Sequence, residues 1–77
     1  MKVIIMTDIE GISLVDTIDM MEQTQEGYRF ACERLMEDVN AAVQGAVDAG
    51  ADEILVFDGH GGGKNFIKEK LHTEADA

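Results

Sequence analysis

The sequence predicts an α/β fold, a βαβ unit with parallel strands followed by a short C-terminal helix. Three observations carry this. Val3-Ile4-Ile5-Met6 and Ile54-Leu55-Val56-Phe57 are uninterrupted apolar runs, and an amphipathic stretch of helix length separates them. Runs of this length read as buried strands. A helical crossover between two strands joins them in parallel and is almost always right-handed.

Residues 2–7 form the first predicted strand, and Gly11 lets the chain leave it at a sharp angle. Ile12 to Gln25 fits neither period; Asp16, Thr17 and Asp19 give it loop character, with a short irregular helix around Met20-Met21-Glu22. From about Glu26 to Ala49, Tyr28, Cys32, Leu35, Met36, Val39, Ala42, Val43, Ala46 and Val47 recur at steps of three and four. That is the stripe of a helix against a core. Ala41, Ala42, Gly45 and Ala46 are small, and close approach to a sheet would compensate the ~1 kcal/mol that Gly45 costs inside a helix. Gly50 reads as the left-handed cap. After the second strand, Asp58 to Gly63 is a glycine-rich loop. Lys64 to Leu71 reads as a short helix with Phe66, Ile67 and Leu71 on its apolar side, and His72 to Ala77 as a frayed polar tail. There are no repeats and no prolines.

The chain has 77 residues, enough for one small domain at most. A core of this size supplies only about 3–5 kcal/mol, and such chains lean on disulfides, metals or partners. Cys32 is the only cysteine, so no intrachain disulfide forms. It lies on the helical stripe and reads as a buried structural thiol. Sixteen acidic residues against six basic give a net charge of −10. That argues against nucleic acid as a partner, which needs clustered Lys and Arg, and favours cations. The first apolar run is too short for a secretory core or a membrane span. The expectation is a cytoplasmic protein with no membrane partner.

The chemistry gathers at the strand ends. Asp8 and Glu10 are two residues apart, so in extended backbone both point to one face. Two close carboxylates repel, and a cation relieves the conflict. Asp58 and His60 repeat the spacing at the second strand. Ligands of open α/β sheets bind beyond the carboxyl ends of the strands, and neighbouring strands lie about 4.8 Å apart. Asp8, Glu10, Asp58 and His60 can therefore surround one point, a donor set suited to zinc or a similar ion. The plainer reading is solvated loop carboxylates and a surface histidine beside glycines. Three other motifs fail on a residue. A phosphate-cradling loop needs Ser or Thr where Asn65 stands. A dinucleotide fingerprint needs more than Gly11 after the first strand. The esterase-like His60-Gly61-Gly62-Gly63 lacks a nucleophile elbow, since Ser13 is the only serine and lies between Ile12 and Leu14. His72 has no evident partner and reads as solvated.

Four segments in this order carry a resemblance: Thr7-Asp8-Ile9-Glu10-Gly11-Ile12-Ser13, Tyr28 through Val39-Asn40-Ala41-Ala42, Gly50-Ala51-Asp52-Glu53-Ile54-Leu55-Val56, and Asp58-Gly59-His60-Gly61. Together they resemble the amino-terminal part of the D-aminopeptidases, a family of zinc peptidases that assemble into self-compartmentalising rings. The resemblance implies that residues 1–77 are the front of a single, larger three-layer α/β metallopeptidase-like domain, incomplete as it stands. It implies release of amino-terminal D-amino acids from short peptides at a two-zinc centre, in a homo-oligomer. Asp8, Glu10 and His60 then correspond to metal ligands, and Asp58 to a residue behind them. No catalytic residue is assigned within the chain. The family's remaining ligands and its proposed catalytic histidine match neither His72 nor Glu74. Leu14 and the Asp16 to Gln25 loop depart from the pattern. Two alternatives stand beside this reading. One is a non-catalytic module that binds Mg²⁺, Ca²⁺ or no metal and oligomerises through its unpaired sheet edges. The other is a phosphoester hydrolase with a similar metal-lined sheet edge.

Overall fold

The computed structural model describes residues 1–9, 12, 13, 15, 27–60 and 63–77. The expectations for Glu10, Gly11, Leu14, the loop from Asp16 to Gln25 and a helix at Met20-Met21-Glu22 lie outside the described residues. Strand β1 spans Lys2–Thr7, helix α1 spans Gly27–Asp48 and strand β2 spans Glu53–Asp58. The strands pair in parallel without a register shift, from Lys2 opposite Glu53 to Thr7 opposite Asp58. Both therefore end at the same level of the sheet. No described helix is long and apolar enough to cross a membrane.

Helix α1 covers one face of this sheet. Leu35, Val39 and Val43 of α1 meet Ile54 and Val56 of β2, with Ile5 of β1 packed beside them. A second cluster joins Ala31 and Cys32 to Ile9 and Val15 from the chain after β1. Burying each large aliphatic side chain is worth about 1.5–3 kcal/mol. Strand β1 alternates, with Val3, Ile5 and Thr7 half-buried and Lys2, Ile4 and Met6 exposed. Both runs were expected to be buried throughout. Instead Ile4, Met6 and Phe57 stand on the face away from α1, and Met6 is 81% exposed. One helix can cover only one face of a sheet, and an apolar run does not say how many layers surround it.

Two features of α1 differ from expectation. Ala42 and Gly45 are exposed, and a Cβ on Gly45 would meet nothing within 4 Å. Gly45 thus makes no close approach to the sheet; Ala31, Leu35, Val39 and Val43 do the packing. The end of the helix follows expectation. Gly50 has φ +91°, its N–H donates to Val47 O at 2.9 Å, and Ala51 N–H donates to Ala46 O at 3.0 Å. That pair of bonds is a Schellman motif and satisfies two carbonyls the helix leaves free.

The chain after β2 is less helical than expected. Its helical part is one 3-10 turn, Lys68–Lys70. Ile67 is extended, with φ −93° and ψ 94°, which interrupts any helix running from 64 to 71, and the Asp58 carboxylate accepts the N–H groups of Asn65 and Phe66 (2.6 and 2.9 Å) just before it. Phe66 and Leu71 nevertheless pack on the first cluster and Ile67 on the second. The tail is pinned, not frayed. Asp76 N–H donates to Ile54 O and Asp76 O accepts from Val56 N–H, a bridge to the free side of β2. His72 is correspondingly a tail anchor. Its Nε2 faces Gln44 Oε1 at 2.9 Å, Nδ1 accepts from Glu74 N–H at 3.0 Å, and its own N–H donates to Asn40 Oδ1. A ring nitrogen that accepts is unprotonated, so these contacts select the neutral Nε2–H tautomer.

A Cβ at Gly59 would lie 2.4 Å from Thr7 O, a backbone atom that cannot step aside. Gly59→Ala should cost about 1–3 kcal/mol, typical of overpacking, and lower Tm by several degrees in a thermal melt; an unchanged Tm would refute the contact. Cys32 is buried, and burial raises its thiol pKa; the Asp58 carboxylate adds to this and a Tyr28 hydrogen bond opposes it. The folded pKa exceeds the unfolded one, so this stability is fully present below the usual thiol value of about 8.5 and is lost as pH rises through the folded pKa. Alkylation of the native chain should be slow, with a rate midpoint above that of the urea-unfolded chain; equal midpoints would contradict it.

Candidate metal centre

In-register parallel strands bring two loop starts side by side, Asp8 after β1 and Gly59-His60 after β2. The tips are tied twice. Thr7 Oγ1 donates to Phe57 O at 2.8 Å, and Gly59 N–H donates to Thr7 O at 3.0 Å. The approach leaves no room for a side chain at position 59, so glycine is required there. His60 follows at once and lands against Asp8: its Nδ1 lies 2.9 Å from Asp8 Oδ1. The same carboxylate oxygen accepts the Ile9 N–H at 2.8 Å, which holds its rotamer. The His60 side chain is 17% exposed and that of Asp8 54%. His60 is therefore mostly enclosed, and Asp8 is about half in solvent.

Asp58 sits differently. It is directed into its own loop, where Oδ2 accepts the N–H groups of Asn65 and Phe66 and Oδ1 accepts Asn65 Nδ2 at 2.7 Å. Every bond it makes here fixes the loop that carries His60. Asp8 and His60 thus come together, Asp58 stands behind them, and Glu10 lies outside the described residues. Among the described residues no three His, Cys, Asp or Glu side chains form a group able to hold a metal ion. Ser13 N–H donates to Asp38 Oδ2 at 2.8 Å and ties the chain after β1 to α1.

The residue that sequence reasoning missed is Asn65, which entered only as the residue that breaks a phosphate-loop motif. It is 1% exposed, the only buried polar residue described. Its Nδ2 donates to Asp58 Oδ1 and to His60 O at 2.6 Å, and its Oδ1 accepts the Tyr28 hydroxyl. Its signal was faint: an uncharged amide directly before Phe66-Ile67, where the chain re-enters the core.

The family model of peptidase M55, D-aminopeptidase, matches residues 1–77. The D-aminopeptidase of Bacillus subtilis (strain 168) is 33% identical over 76 residues, covering 99% of this chain and 28% of the relative. Among solved structures, the Zn-dependent D-aminopeptidase DppA from Bacillus subtilis, a self-compartmentalizing protease, superimposes with a TM-score of 0.95 at 33% identity, again over 99% of this chain and 28% of that one. The chain therefore spans little more than a quarter of these relatives' length and has the parallel α/β arrangement of the matching part. By the match along its whole length, it belongs to the D-aminopeptidase family, peptidase M55.

Proposed function

We propose that residues 1–77 are the amino-terminal part of a single α/β metallopeptidase-like domain that releases amino-terminal D-amino acids from short peptides with zinc. The observation that carries this is the Asp8–His60 contact at the paired strand tips, in a chain of the D-aminopeptidase family. Asp8, Glu10 and His60 serve as metal ligands, with two zinc ions per site, and the remaining ligands and the catalytic group come from outside these residues. Asp58 holds the His60 loop from behind. Alone, the chain is inactive. The working protein is cytoplasmic and assembles as a homo-oligomeric ring, as suits a relative described as self-compartmentalizing.

The donor chemistry fits. Zinc takes carboxylate oxygen and imidazole nitrogen at about 2.0–2.2 Å, which at a tetrahedral angle separates two donors by roughly 3.3 Å. Asp8 Oδ1 and His60 Nδ1 lie 2.9 Å apart, close enough to share one ion after a small rotation. Bound zinc supplies a polarised scissile carbonyl and a water of lowered pKa. The chain's own part is to hold two donors at a fixed spacing on rigid strand ends, with Ile9 N–H fixing one and the Asp58 loop the other.

A second reading has its own observation. Ile4, Met6 and Phe57 leave an apolar sheet face open, and among the described residues β1 pairs only with β2. A non-catalytic module that associates through this sheet would show a Tm that rises with protein concentration and ignores zinc.

Calorimetric titration of the metal-free chain with Zn²⁺ tests the site. Asp8→Ala and His60→Ala should each weaken binding at least tenfold, about 1.4 kcal/mol, without changing the circular dichroism. Binding unaffected by both would remove the metal reading. For the activity, residues 1–77 can replace the matching segment of the Bacillus subtilis D-aminopeptidase. A folded chimera should release D-Ala from D-Ala peptides and lose at least a hundredfold with His60→Ala. Full activity in that variant would contradict the assignment.

A further inference from the structure

We propose that Asn65 is a positioning residue for His60, setting the direction of the imidazole through the His60 backbone. The inference rests on the metal-site reading above but goes beyond its ligand set. The Asn65 side chain spans three elements: Tyr28 at the start of α1, Asp58 at the end of β2, and His60 in the loop. Its orientation is chemically determined. Asp58 Oδ1 and His60 O are both acceptors, so the amide NH₂ must face them and the amide oxygen must face the Tyr28 hydroxyl. A flipped amide would set an oxygen against a carboxylate and a carbonyl.

The His60 carbonyl has two donors, Asn65 Nδ2 at 2.6 Å and Gly63 N–H at 3.1 Å. Gly63 has φ +74°, and a Cβ there would lie 3.3 Å from Asp58 O. Gly63 and the buried Asn65 thus both bond back to His60. With the His60 carbonyl fixed on one side and Gly59 N–H fixed to Thr7 O on the other, the His60 backbone has little freedom. The imidazole then projects toward Asp8 and not into solvent. Tyr28 holds Asn65 from the helix, so α1 bears on His60 through Asn65. A glycine-rich loop would otherwise sample many conformations, and each would cost metal affinity.

Asn65→Asp is the sharp test, because it keeps the shape and replaces the NH₂ donor with an oxygen facing Asp58 and His60 O. In the 77-residue chain it should weaken Zn²⁺ binding by about 10–100-fold, the usual cost of losing a residue that orients a ligand. The ¹⁵N spectrum of the metal-free chain should change too. His60 in the parent should show one tautomer, protonated at Nδ1 opposite the Asp8 carboxylate, and the variant should show an averaged ring. In a His60→Ala background, Asn65→Asp should cost less than twofold in zinc affinity, since the residue acts through His60. An equal loss there would overturn the proposal, as would a folded Asn65→Asp chain with unchanged affinity and spectrum. If Asn65→Asp does not fold, Tyr28→Phe removes the hydroxyl that holds the amide, together with its bond to the Cys32 thiol. It should shift the His60 tautomer signals and weaken zinc severalfold, and no effect on either would overturn the proposal. A parent chain that binds no Zn²⁺ but shows the tautomer change would sink the metal reading and leave the positioning role standing.

Discussion

The site depends on one constraint, the unshifted parallel pairing of β1 and β2. Because Lys2 faces Glu53 and Thr7 faces Asp58, the next residues on both strands emerge at one level. Slip the register by one and every side chain of β1 changes face, so that Ile5 would leave the core and Asp8 would leave His60. The pairing is held at its end by Thr7, whose hydroxyl and carbonyl both bond to the β2 tip, and by the absence of a side chain at Gly59. Hydrophobic packing of Ile54 and Val56 against α1 stabilises the pair, and these polar contacts at the tip give it direction.

Polar groups in the loop after β2 form a single hierarchy. Asp58 organises backbone amides, Asn65 links Asp58 to the helix and to His60, and His60 meets Asp8. Buried polar networks of this kind stabilise little on balance but penalise any partly satisfied arrangement. Here they tie Asn65 to Asp58 and to the His60 backbone. The open face with Ile4, Met6 and Phe57 belongs to the same picture, since parallel sheets normally carry a layer on both sides.

Much of this was legible in the residues. The helix of α1 and its glycine cap follow from period and from Gly50, because local backbone preference and one-sided burial agree there. The meeting of Asp8 and His60 was legible for a topological reason: parallel strands must end together, whatever their side chains. Other features lay beyond sequence reasoning. Asn65 gains its role only when Tyr28, 37 positions away, folds over it. The helix expected over 64–71 shrank to one turn because Ile67 is extended and Asn65 before it is tied to Asp58, His60 and Tyr28, tertiary contacts that propensity does not contain. Gly45 looked like a close-packing residue but faces open space, since smallness permits approach without requiring it. His72 looked solvated because its partners, Asn40, Gln44 and Glu74, mean nothing until the tail lies along α1.

The central claim is that the two strand tips donate to one cation, and zinc-edge X-ray absorption of the zinc-loaded chain tests it most directly. The account predicts a nitrogen and oxygen shell near 2.0–2.2 Å with imidazole scattering that vanishes in His60→Ala and survives in His72→Ala. Imidazole scattering that persists without His60, or that depends on His72 instead, would contradict it.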